Sequence, residues 1–156
     1  MDFRALKGQR PLSMVTCYDA WSARILDKSS IDALLIGDSV ATVVHGYDST
    51  VHATLDMMEM HVRAVARASS EKLLVGDMPF LSFRAGVPQT LENAGRLIRA
   101  GAHAVKVEGV AGHEDAIHAL VQSGIPVMGH LGLTPQSVHQ LGGMKVQGRT
   151  PPAAAQ

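Results

Sequence analysis

Four successive apolar stretches of this 156-residue chain end on a side chain that can carry charge or hold a cation. Leu35-Ile36-Gly37 runs into Asp38-Ser39, and Leu74-Val75-Gly76 into Asp77. Val105-Lys106-Val107 runs into Glu108-Gly109, and Val127-Met128-Gly129 into His130. Each has an ordinary reading alone. An Asp after a strand often caps a turn. Glu108 can pair with Lys106, two residues earlier on the same strand face. A lone histidine is commonly held by structural hydrogen bonds. Together they share one register, which independent accidents do not readily produce. In α/β folds, ligands bind at the carboxyl ends of the strands. Asp38, Asp77 and Glu108 would converge there and repel unless something positive lay between them. A hard dication such as Mg²⁺ answers that requirement. It takes oxygen ligands, usually one or two carboxylates directly, and keeps waters that a third carboxylate can hold. Lys106 would then be placed to bind a substrate carboxylate.

Other residues with chemical potential carry less. His45, His52, His61, His103, His113, His118 and His139 have no metal-like spacing and are expected on the surface or in loops. Cys17 has no evident paired base and reads as core. The segment Gly129-His130-Leu131-Gly132-Leu133-Thr134-Pro135 lacks the closing Gly-Lys-Ser/Thr of a P-loop. Residues 142–149, Gly-rich and basic, could cover a site mouth, contact a neighbouring subunit or form a plain surface loop.

The elements that must position these groups repeat one pattern, an apolar run followed by a helix-like stretch. The apolar runs are Leu12–Cys17, Ile31–Gly37, Leu73–Gly76, Ala104–Val107 and Pro126–Gly129. The helical stretches are Asp19–Lys28, Leu55–Ala68, Pro88–Ala100, His113–Gln122 and Thr134–Gln140. Continuous apolar strands alternating with helices predict a parallel sheet covered by helices. Thr54 is placed to cap the second helix, Pro88 suits a first turn, and Gly101 and Gly124 suit helix ends. Leu91, Ala94, Leu97 and Ile98 form an apolar stripe that reads as core packing.

Composition narrows the class. Fourteen basic residues balance fourteen acidic ones, which argues against nucleic-acid binding. No apolar run approaches the roughly 18 residues needed to span a bilayer. Met1-Asp2-Phe3-Arg4 has no apolar leader region, and one cysteine makes no internal disulfide, so a reducing cytoplasm is expected. We read residues 1–156 as one domain. A (β/α)₈ TIM barrel needs about 250 residues, roughly 31 per unit, so this length supplies about five units. Thr150-Pro151-Pro152-Ala153-Ala154-Ala155-Gln156 reads as the start of another helix. The expectation is an interrupted barrel with two open sheet edges.

The sequence resembles the ketopantoate hydroxymethyltransferase family. The matching stretches are Thr16–Ala20, Leu35–Ser39, Gly46–Thr50, Gly76–Phe80, Val105–Gly109 and Gly129–Ser137, then Gly142-Gly143 and Lys145–Arg149, in family order. The resemblance implies a (β/α)₈ barrel that assembles into a homo-oligomer. It implies transfer of a hydroxymethyl group from 5,10-methylenetetrahydrofolate to 3-methyl-2-oxobutanoate, giving 2-dehydropantoate through a Mg²⁺-stabilised enolate. By position, Asp38, Asp77 and Glu108 would serve the metal. Asp38, Ser39, Asp77, Lys106 and His130 would line the ketoacid site. The family's general base is a glutamate on a later strand, with no counterpart within residues 1–156. Two other readings stand beside this one. One is a related Mg²⁺-dependent ketoacid lyase or mutase barrel. The other is an inactive fragment.

Overall fold

Strands rich in Val, Ile and Leu have apolar faces to remove from water, and a parallel sheet under helices does so. The computed structural model describes residues 3–154. Met1, Asp2, Ala155 and Gln156, which the leader and tail readings include, lie outside the described residues. The order is β1 (Met14–Thr16), α1 (Ala20–Asp27), β2 (Ala33–Ile36), α2 (Val40–Val43), α3 (Leu55–Ala66), β3 (Leu73–Asp77), α4 (Val87–Ala100), β4 (Ala104–Glu108), α5 (Glu114–Gln122), β5 (Val127–His130), α6 (Val138–Leu141) and α7 (Pro151–Ala154). Strands β1 to β5 are parallel and lie side by side in sequence order. The fold is α/β, a partial (β/α) barrel of five strand–helix units, as expected.

Strand register divides the side chains. Leu34, Ile36, Leu74, Val105 and Val107 join one buried cluster with Val62 and Val65 of α3, Ala94 and Leu97 of α4, and Leu120 of α5. On the opposite face Leu35 pairs with Val75, and Val75 with Ala104. One layer further along that face, Asp77 pairs with Lys106, and Lys106 with Met128. The last rung joins Glu108 to His130. The layering places the charged residues above an apolar floor.

Caps fix the helix starts. Asp19 accepts from the Ser22 amide at 2.8 Å at the start of α1, and Thr54 from the Met57 amide at 3.2 Å at the start of α3. Cys17 is buried and unpaired, as read. Some boundaries differ from those expected. Strands β3, β4 and β5 run on to include Asp77, Glu108 and His130, because the ladder continues through the pairs just named. Strand β1 is shorter than Leu12–Cys17. The expected helix Thr134–Gln140 is instead a 3-10 turn at Pro135–Ser137 followed by α6. Among the described residues no helix is long and apolar enough to cross a membrane.

Helix α4 ends where it meets the end of α3. Gly101 takes a φ of 115°, and a Cβ built there overlaps the Cβ of Ala66. Gly101→Ala is therefore expected to lower the unfolding free energy by about 2 kcal/mol or more, from backbone strain and overpacking together. Urea denaturation checks this; an unshifted midpoint contradicts it.

Candidate functional site

Asp38, Asp77, Lys106 and Glu108 meet at the carboxyl ends of β2, β3 and β4, and all four are buried. The chain leaves β2 through Gly37, where a Cβ would stand 2.8 Å from Ser39 Oγ, so only glycine lets Ser39 fold back at this turn. The Asp38 backbone amide donates to Asp77 Oδ2 at 3.0 Å, which ties the end of β2 to that of β3. Lys106 Nζ lies 2.6 Å from Asp77 Oδ1 and 3.7 Å from Glu108 Oε1. The closer contact is a buried ion pair. Glu108 uses both oxygens: Oε1 lies 3.1 Å from His130 Nδ1, and Oε2 accepts from the Gln136 amide at 3.0 Å. Ser39 Oγ is 2.8 Å from the Tyr18 hydroxyl.

The structure thus brings together Asp38, Asp77, Lys106, Glu108 and His130, and sets Ser39 beside a cavity of about 880 Å³ shared with Thr42, Ser49, Pro135 and His139. It differs from the expected arrangement in what separates the carboxylates. Among the described residues no three His, Cys, Asp or Glu side chains are gathered about one ion position. The Lys106 ammonium stands between Asp77 and Glu108 instead, so Lys106 is a partner of the carboxylates before it can meet any substrate. The residue that reading strand ends missed is Gln136. It is buried, and its carboxamide donates to Asp38 Oδ2 at 2.8 Å and to the Met78 carbonyl at 3.0 Å. Its only advance sign was its place in the Gly129–Ser137 stretch. Tyr18 was missed likewise, and Arg84, which donates to the Glu108 carbonyl at 2.9 Å, left no sequence signal. The histidine expectation also needs correction. His61 lies buried on α3, because burial on a helix needs no motif, whereas His103 is exposed in the bend before β4, as expected, with Nδ1 accepting the Leu74 amide.

Charge explains the local acidity. Burial, then the Asp77 carboxylate, raise the Asp38 carboxyl to about 6, against the pull of Gln136 and Lys106. Burial raises Asp77 as well, although Lys106 opposes it. Whether these residues suit a hard cation can be judged from their oxygens. Asp77 Oδ1 and Gln136 Oε1 are buried without a hydrogen-bond partner. Asp38 and Asp77 both resist ionising here, and a dication would reverse that resistance. Two carboxylates therefore fit Mg²⁺, which directly takes one or two. Each oxygen of Glu108 is already engaged.

The sequence profile of the family described as ketopantoate hydroxymethyltransferase matches residues 1–156. A protein of Coxiella burnetii (strain RSA 493 / Nine Mile phase I) named 3-methyl-2-oxobutanoate hydroxymethyltransferase is 49% identical over 155 residues, covering 98% of this chain and 58% of that protein. One of the same name from Legionella pneumophila (strain Lens) is 53% identical over 150 residues, 95% of this chain and 57% of that protein. The chain thus spans about 58% of the length of the curated relatives it matches. Among solved structures, a 2,3-dimethylmalate lyase of the PEP mutase/isocitrate lyase superfamily aligns with a TM-score of 0.61 at 22% identity, over 81% of this chain and 50% of that one. A phosphonopyruvate hydrolase in complex with oxalate and Mg²⁺ aligns with a TM-score of 0.67 at 12% identity, over 80% of this chain and 49% of that one. These two likenesses are of fold.

Two outcomes follow from the geometry. Asp38 holds its proton more tightly folded than unfolded, where its ordinary value is 3.8. Its contribution is thus fully present below about pH 4 and is lost as pH rises through about 6. Carboxylates held low by partners, such as Asp32 beside Arg10, slope the other way. The difference between wild type and Asp38→Asn therefore isolates the effect: in metal-free buffer the variant gains stability relative to wild type between pH 4 and 7. Urea titrations across that range read it, and a pH-independent difference contradicts it. Gln136→Leu strips a donor from buried Asp38 and is expected to cost about 1–3 kcal/mol. An unchanged denaturation midpoint would show that water replaces the carboxamide.

Proposed function

Because the chain belongs to the ketopantoate hydroxymethyltransferase family, we propose that it supplies the metal and ketoacid part of an enzyme making 2-dehydropantoate. The hydroxymethyl group would come from 5,10-methylenetetrahydrofolate and the acceptor would be 3-methyl-2-oxobutanoate. The observation that carries this reading is the buried cluster of Asp38, Asp77, Lys106 and Glu108 at one end of the sheet.

In this reading Asp38 and Asp77 hold Mg²⁺, and Glu108 acts from behind them by fixing His130 and the Gln136 amide. Bound Mg²⁺ polarises a ketoacid carbonyl and so makes the C3 proton more acidic. The remaining roles belong to the chain. The Lys106 ammonium has three donors, and with Asp77 its one close partner and Glu108 at 3.7 Å it keeps donors for a substrate carboxylate. If Tyr18 donates to Ser39 Oγ, the Ser39 hydroxyl hydrogen is free to bind the same carboxylate. If His130 Nδ1 donates to Glu108 Oε1, Nε2 of neutral His130 keeps its lone pair. Pocket water is limited by the apolar floor beneath Lys106. Homo-oligomerisation and a cytoplasmic setting belong to the same proposal. Trp21 and Ile25, one turn apart on α1 and both exposed, support self-association.

A lyase or mutase barrel is the competing reading, since solved proteins of that superfamily share the fold. Calorimetry with 3-methyl-2-oxobutanoate tests the proposal. Binding is expected only with Mg²⁺, and Asp77→Asn or Lys106→Ala should weaken it at least tenfold. Ketoacid binding that ignores Mg²⁺ and both substitutions would sink the proposal. Products formed from the ketoacid with and without the folate then separate the readings. Folate-dependent gain of one carbon supports the transferase, and cleavage without folate supports the lyase.

A further inference from the structure

Two histidines outside the site just described face each other across elements that sequence keeps sixteen residues apart. His45 follows α2 on an exposed loop, and His61 is buried on α3. Their Nε2 atoms are 3.0 Å apart, with the rings edge to face at 79°. His61 Nδ1 lies 2.6 Å from the Tyr18 carbonyl oxygen. A carbonyl only accepts, so Nδ1 of His61 carries hydrogen and Nε2 of neutral His61 presents a lone pair to His45. Metal-binding histidines are held in the same way, with the far ring nitrogen fixed by a carbonyl or carboxylate.

The separation also suits a shared ion. Two nitrogens about 2.0–2.1 Å from one cation, at an angle of about 90–109°, lie about 2.9–3.3 Å apart. Asp19, at the start of α1, is near enough for its carboxyl to respond to the His61 charge, and it adds negative potential without giving up its cap on Ser22. His52 is engaged elsewhere, 3.3 Å from Asp48 and stacked on Tyr47. Exposure of His45 leaves room for waters to complete the coordination. Imidazole pairs select late first-row dications, Zn²⁺ and above all Cu²⁺, over Mg²⁺. We propose that His45 and His61 form a two-imidazole site for such a cation, closing the loop after α2 onto α3. When the site is empty, His45 donates the hydrogen that links the rings. On binding, that hydrogen moves to His45 Nδ1 and both Nε2 lone pairs meet the metal.

The test is calorimetric titration of the full, untagged chain with Zn²⁺ in excess Mg²⁺. One site is expected, with affinity falling at least tenfold in His45→Ala, a substitution at an exposed loop residue. Equal affinity in that variant, or no binding by wild type, overturns the proposal. Because His61→Ala could disturb the fold, the second measurement uses Cu²⁺ on the unmodified chain. Electron paramagnetic resonance should show coupling to two imidazole nitrogens, absent in His45→Ala. Coupling that survives in His45→Ala means that other histidines bind and also overturns it.

Discussion

One ammonium and three carboxylates share the end of this sheet, and that imbalance governs the site. Lys106 stands 2.6 Å from Asp77 and 3.7 Å from Glu108, with little water on any of the three. Like and unlike charges about 4 Å apart each interact by roughly 4 kcal/mol at an effective dielectric near 20. A single cation therefore offsets only part of the mutual repulsion among Asp38, Asp77 and Glu108. The remainder falls on Asp38, which has no direct contact with the lysine and instead leans on the Gln136 carboxamide. Burial first, and the Asp77 carboxylate after it, therefore raise the pKa of Asp38. A hydrogen bond from a neutral amide cannot supply the missing charge. A dication would, which is what the proposal of a metal beside Asp38 and Asp77 rests on.

The sequence carried the part of this that depends on period and position. Strand register follows from apolar runs, so the ends at Asp77, Glu108 and His130 were legible, as was the shared face of Lys106 and Glu108. Thr54 and Gly101 were legible because capping and left-handed backbone select residue types. Pair choice was not. Nothing in residue types says that Lys106 prefers Asp77 as its close partner. Gln136 was hidden for another reason. It reaches Asp38 across 98 residues, and no local pattern records that approach. His45 and His61 were set aside on spacing alone, which has meaning only for ligands on one element.

Those long separations say when the site comes into being. Each strand–helix unit can form locally, but Asp38 is completed by a residue after β5, and Glu108 by that same residue's backbone 28 positions onward. The turn after β5 is therefore a clasp across β2, β3 and β4. Until it docks, Asp38 lacks its amide donor and Glu108 its backbone partner, and both would draw water into the cluster. The contacts that order the carboxylates also hold the ends of the strands together.

Shared architecture then explains likeness without fixing chemistry. Parallel strands ending on one rim will place side chains together in any barrel of this kind, and unrelated reactions use the same rim. What particularises this chain lies in the supports: Tyr18 behind Ser39, Gln136 between Asp38 and Met78, Gly37 making room for the turn. Such groups decide which carboxylate oxygen is free and which hydroxyl has a hydrogen to give. Two barrels can present the same carboxylates and still differ in these settings. The chemistry of the rim is therefore written less in its acids than in the neutral residues that hold them.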